Sequence, residues 1–213
     1  MTETAFSLTL PASWRRADLR NDSSVECERL ARAAFDGLPD RDSREVASAR
    51  RRYREALSRP LTRARAVGAL ELYFCAGASR TGIGPMSLMS LVVYACSQES
   101  DPTGALLRLG LPSNSIGALE DTEIAWSRSV QRVSRSADEW NTVLHDTIGI
   151  DGTAVGTTPT SASLSQGTVH FATGIRNSPR NFLVLSGSTL GTSLLGAQIA
   201  HLDSIVRTFS WAD

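Results

Sequence analysis

Three histidines, His145, His170 and His201, are the imidazoles this chain has for acid–base or metal chemistry. Their spacing gives no HExxH and no adjacent pair, so a metal site would have to be gathered by the fold from distant residues. His170 stands beside Phe171 in a strand-like stretch and His201 beside Leu202 in a helix-like one, both patterns of structural histidines. His145–Asp146 falls in a loop-like stretch. A serine nucleophile needs a tight elbow, typically G-x-S-x-G. The strings GSTLG (187–191) and GTSLLG (191–196) have the wrong spacing for it. A hydrolase here would need His145 or His170 beside a serine and a carboxylate in a cleft.

Carboxylates cluster at Glu120/Asp121/Glu123 and Asp138/Glu139. Glycosidase chemistry requires two carboxyls facing each other with separated pKa values, whereas clusters on polar stretches are solvent-facing turns. The string GASRTGIG (77–84) is rich in glycine but lacks GxGxxG, and it lies between two strands, without the strand-to-helix setting of a phosphate cradle. It reads as a hairpin connection. All 22 basic residues are Arg, which excludes a Walker A loop, the kinase lysine and a Schiff-base lysine. Cys27, Cys75 and Cys96 form no C-x-x-C pair, so they read as buried thiols of a reducing compartment. The reading assigns no catalytic residue, no cofactor and no metal.

Arginine is unevenly spread although the formal net charge is zero. Between Arg41 and Arg65 nine Arg stand against three acids. Such a stretch suits an acidic protein surface, anionic lipid heads or phosphates, and the first is preferred because guanidinium groups present planar donors to carboxylates. The candidate partner-binding residues are Arg50, Arg51, Arg52 and Arg54, with Arg80 in the Gly-rich connection as a second place. Nucleic acid is not expected: the overall charge is balanced, and Phe35 and Tyr53 fall on apolar stripes, not among the arginines.

The elements that would position these groups follow from periodicity. Phe6, Leu8 and Leu10 alternate as a half-buried strand ended by Pro11, with Trp14 and Leu19 anchoring the next extended piece. Asp22 to Ser24 cap a helix whose stripe is Cys27, Leu30, Ala31, Ala34, Phe35 and Leu38. An Asp42/Ser43 cap opens a second helix, which Pro60 is expected to break or restart; a short piece from Leu61 to Val67 ends at Gly68. ALELYFCA (69–76) and MSLMSLVVYAC (86–96) read as central strands, and Asp101–Pro102 opens a short helix ending at Leu109–Gly110. Ser115–Leu119 and Ile124–Ser134 read as strands, with Trp126, Val130 and Val133 as inward residues. Residues 136–165 read as loop with a short strand near Thr147–Ile150. Thr168–Ile175 and Asn181–Ser186 form a last hairpin turned by Asn177–Ser178–Pro179. Leu195, Ile199, Leu202, Val206 and Phe209 mark a final helix. This predicts one α+β domain over residues 1–213, with a helical segment from about 22 to 67 between the first strands.

The opening FSLTLPASWRRADL, the middle ARAVGALELYF and PMSLMSLVV, and the closing TVHFATGI, NFLVLSGST and AHLDSIVRTFSW together resemble the actinobacterial LpqN-like branch of the PsbP-like fold, with its DcrB-like relatives. The resemblance implies a central antiparallel sheet flanked by helices, an αβα sandwich. It also implies an accessory role: a non-enzymatic protein-binding adaptor, chaperone or immunity-like partner tied to a bacterial secretion or toxin system. A hydrophobic small-molecule or lipid-binding module is the alternative. The stretch MTETAFSLTLP has neither a basic n-region nor a long apolar h-region, so no signal peptide is expected. The longest nearly apolar run, Met86–Cys96, is too short to span a bilayer, so no membrane insertion is expected. The expected place is the cytoplasm and the expected partner another protein with an acidic surface. Self-association through an edge strand near Ile116 or through the last hairpin stays open.

Overall fold

The structure is a computed structural model that describes residues 5–38, 40, 42–75, 86–94, 101–134, 163–176, 178–191 and 194–212. Among these are nine strands: β1 Phe6–Ser7, β2 Trp14–Asp18, β3 Ala69–Cys75, β4 Met86–Tyr94, β5 Ser115–Ala118, β6 Ala125–Ser134, β7 Ser163–Ile175, β8 Ser178–Gly191 and β9 Ser210–Trp211. The four described helices are α1 Ser23–Phe35, α2 Arg44–Ala66, α3 Pro102–Arg108 and α4 Leu195–Val206. Seven strands form a mostly antiparallel central sheet in the order β2-β3-β4-β8-β7-β6-β5, and β1 and β9 form a separate ribbon. The expected α+β class with a central sheet is therefore present. The chain gathers into two compact units, one of Met1–Arg15, Tyr73–Val133 and Leu164–Asp213, the other of Arg16–Leu72 and Ser134–Ser163.

In the first unit the β7–β8 hairpin is the spine, closing at Ile175↔Ser178 with a register irregularity at Gly174/Ile175. On one sheet face Leu88, Val169, Phe171, Leu183 and Leu185 pack with Leu202, Ile205 and Val206 of α4. On the other, Ala125, Ala172 and Val184 pack with Leu106 of α3. Gly187 is the notch that admits α4: a Cβ there would lie 2.9 Å from Val169 and 3.0 Å from Leu202. β1 and β9 tie the ends of the described chain together, with Phe6 paired to Trp211. Phe209 stacks on Phe6 at 5.6 Å and meets Trp211 edge-on at 4.9 Å.

In the second unit α1 and α2 pack as an antiparallel pair, fastened by Phe35–Tyr53 edge contact at 5.9 Å and by ion pairs Arg54–Glu28 and Arg65–Asp22. Asp22 caps α1 by accepting Ser24 N–H at 2.8 Å, and Ser43 caps α2 by accepting Val46 N–H at 3.2 Å. Gly68, at φ 81°, lies just past the end of α2.

Several expectations need correction. Pro60 neither breaks nor restarts α2, which runs unbroken from Arg44 to Ala66. Proline removes one donor and crowds one turn, a local penalty that Leu57, Leu61 and Ala64, all buried, outweigh. On β6 Ala125, Ser127 and Ser129 are buried and Trp126 packs against the main core as expected, while Val130 is 47% exposed and does not face inward. Trp126 is half-buried on the α4 face, and the side chain of Val133 lies outside the described residues. The final hairpin is interior, between β4 and β6, and offers no free edge; of the two expected edges, only the one near Ile116 lies at a sheet margin. Helix α4 stops at Val206, leaving Phe209 in the connection to β9. The strand expected near Thr147–Ile150, and most of the loop expected over residues 136–165, lie outside the described residues.

Candidate partner-binding surface

Helix α2 carries four of the five candidate arginines, and all four are exposed. A helix turns about 100° per residue, so Arg50 and Arg54 share a flank while Arg52 sits about 160° round from Arg50. The four therefore do not form one patch. Arg54 is held by Glu28 of α1 at 3.2 Å, and Arg51 faces Glu55 one turn on at 3.9 Å. Among the described residues neither Arg50 nor Arg52 meets a carboxylate. Arg80 lies outside the described residues.

Between α1 and α2 runs an open groove of about 830 Å³. Its lining includes Glu28, Arg29, Arg32, Asp36, Arg54 and Glu55, three acids against three arginines. Val25 and Cys27 add apolar surface, and Val25 is exposed. The Cys27 thiol is pushed up in pKa by burial and by the neighbouring Glu26 carboxylate, with Arg54 opposing. A thiol held protonated is a poor nucleophile.

Beside it lies a charge network that the sequence reading missed. Glu71 on β3 is buried and paired with both Arg16 and Arg20. Glu26 on α1 is equally buried; it receives Arg29 at 2.5 Å and Asp18 N–H at 2.9 Å. Burial pushes the Glu26 carboxyl up, but the Arg29 guanidinium and the Asp18 amide more than offset it, leaving the pKa below the ordinary glutamate range. Arg29 also donates to Arg16 C=O at 2.7 Å. The available signal was the E-x-x-R spacing on α1, which places acid and base on one helix face.

The histidines divide. His170 is buried on β7 directly opposite Ser186 of β8, with Nδ1 3.0 Å from Ser186 Oγ. Burial lowers its pKa, so it is neutral at physiological pH. Of the two partners a hydrolytic site would require, it has the serine; among the described residues no carboxylate is recorded against it. His201 packs beside Trp14 at 6.0 Å between ring centroids, and His145 lies outside the described residues. No cluster of three metal-ligating side chains occurs among the described residues. No described helix is long and apolar enough to cross a membrane.

No protein-family model matches the chain, and neither a curated protein nor a solved structure matches it.

Proposed function

We propose that this protein is a non-enzymatic accessory factor that binds another protein through α2, in the manner of an adaptor, chaperone or immunity-like partner acting in the cytoplasm. The carrying observation is the state of the α2 arginines: exposed Arg50 and Arg52 have no carboxylate among the described residues, while Arg51 and Arg54 already face Glu55 and Glu28. An acidic partner surface supplies the missing acceptors, and Arg offers it bidentate geometry. Arg50 and Arg52, about 160° apart round the helix, therefore mark two separate contact points for such a partner, with Arg51 and Arg54 already engaged. The LpqN-like resemblance and a link to a secretion or toxin system belong to the same reading.

The groove between α1 and α2 suits this reading, since the three acids and three arginines on its lining can pair with a charged protein surface. Charge reversal tests it. Arg50→Glu with Arg52→Glu is expected to abolish co-purification of the native partner, and Arg→Lys at both sites to weaken it. Undiminished recovery with the reversed pair would overturn the placement.

A further inference from the structure

The second edge of the central sheet is β2, and the Glu26–Arg29 pair of α1 lies against it. Leu19 N–H donates to Leu70 C=O of the neighbouring chain segment at 2.9 Å, so the backbone groups of residues 17 and 19 turn inward. Those of residues 16 and 18 turn outward, because backbone direction alternates along a strand. An outward N–H and C=O at a sheet edge form a template for a further strand. Here one of each is taken by α1. Asp18 N–H donates to Glu26 Oε1 at 2.9 Å, and Arg16 C=O accepts from Arg29 Nη2 at 2.7 Å. Two side chains three residues apart on one helix thus supply the acceptor and the donor that a neighbouring strand would supply.

The same two groups are self-complementary. If two copies of β2 met antiparallel about a two-fold axis at Ala17, the alanines would stand opposite each other as a pair without mutual hydrogen bonds. The flanking bonds would then run from Asp18 N–H of each copy to Arg16 C=O of the other, and from Arg16 N–H of each copy to Asp18 C=O of the other. Ala17 is small and buried, so it presents no bulk against that register.

We propose that the Glu26–Arg29 pair is an edge guard, occupying two of the four outward backbone groups, Asp18 N–H and Arg16 C=O, through which β2 would otherwise pair with β2 of a second copy of this chain. It holds α1 over the edge, and pairing requires that α1 release it. This inference stands apart from what α2 binds.

The test is mass by light scattering across a concentration series, with circular dichroism as the check on folding. The wild type is expected at the monomer mass. Glu26→Ala with Arg29→Ala is expected to shift towards twice that mass as concentration rises. Adding Asp18→Pro, which deletes one of the two outward N–H groups, sets a ring against the partner strand and leaves the inward ladder intact, is expected to restore the monomer. A folded double variant that stays monomeric overturns the guard. So does a dimer that survives Asp18→Pro, or a wild type that is itself dimeric through β2. If the double variant fails to fold, Arg29→Ala alone frees Arg16 C=O: concentration-dependent dimer then supports the guard, and monomer throughout overturns it.

Discussion

Glu26 of α1 accepts a hydrogen bond from the backbone of Asp18 of β2 at 2.9 Å, although eight residues and a helix cap separate them in the chain. One carboxylate thereby fastens a helix to a strand, and its charge is needed there. The pKa values of both Glu26 and Asp18 lie below their ordinary ranges: burial raises each, but Arg29 with the Asp18 amide, and Arg20 respectively, lower them more. A depressed folded-state pKa means that the unfolded chain binds the proton first, so this stability is present above the unfolded value of about 4 and is lost as pH falls through the folded value. Chemical denaturation followed from pH 6 down to pH 3 is expected to show midpoints falling below about pH 4. Glu26→Gln should cost about 1–3 kcal/mol at neutral pH and flatten that acid limb. An unchanged limb in the variant would assign the acid sensitivity elsewhere.

A second pH dependence, of different origin, arises from His170. Its imidazole is buried against Ser186 and its pKa is lowered by that burial. The unfolded chain takes up the proton near pH 6.5, before the folded one does, so stability declines as pH falls from about 6.5 towards the folded value. His170→Gln is expected to remove this slope while leaving the limb below about pH 4 in place. A slope that persists between pH 6.5 and 5 in the variant would contradict it.

Pro60 inside the continuous α2 gives a prediction of the opposite sign. Alanine at that position restores a donor towards the carbonyl one turn back and relieves crowding, against a gain in unfolded-chain entropy. Pro60→Ala is expected to raise stability by about 1 kcal/mol, read as an upward shift in Tm. A lower Tm would mean that the ring itself packs usefully at its half-buried site.

Much of the architecture was legible because it rests on local chemistry. The caps Asp22, Ser43 and Asp101 and the stop at Gly68 are short-range signals, and each ends or opens a helix as expected. The misses were tertiary. Gly167 and Gly187 interrupt the apolar runs of β7 and β8, so the strands look shorter than their 13 and 14 residues; in three dimensions these glycines make room for side chains of α4. Trp126 packs against the core as its size suggests, but its ring also lies over Gly117 and its indole N–H reaches Ala118 C=O at 3.1 Å, contacts that its size alone does not reveal. Arg128 stacks on that ring at 4.1 Å and reaches Asp203 of α4 at 2.5 Å, linking residues distant in sequence. The arginine run was visible, but helical rotation parts Arg50 from Arg52, and its partial neutralisation depends on Glu28 from another helix. Nothing in a linear pattern marks Glu26 and Arg29 as partners of a backbone on β2.

The most direct measurement is affinity purification of the tagged protein from its native host beside the Arg50→Glu, Arg52→Glu variant. Half of each eluate goes to proteomics and half to lipid and metabolite mass spectrometry. The account predicts a stoichiometric protein with an acidic surface in the wild-type eluate, missing from the variant. A small molecule enriched without any protein, or equal recovery of the same protein by both forms, would contradict it.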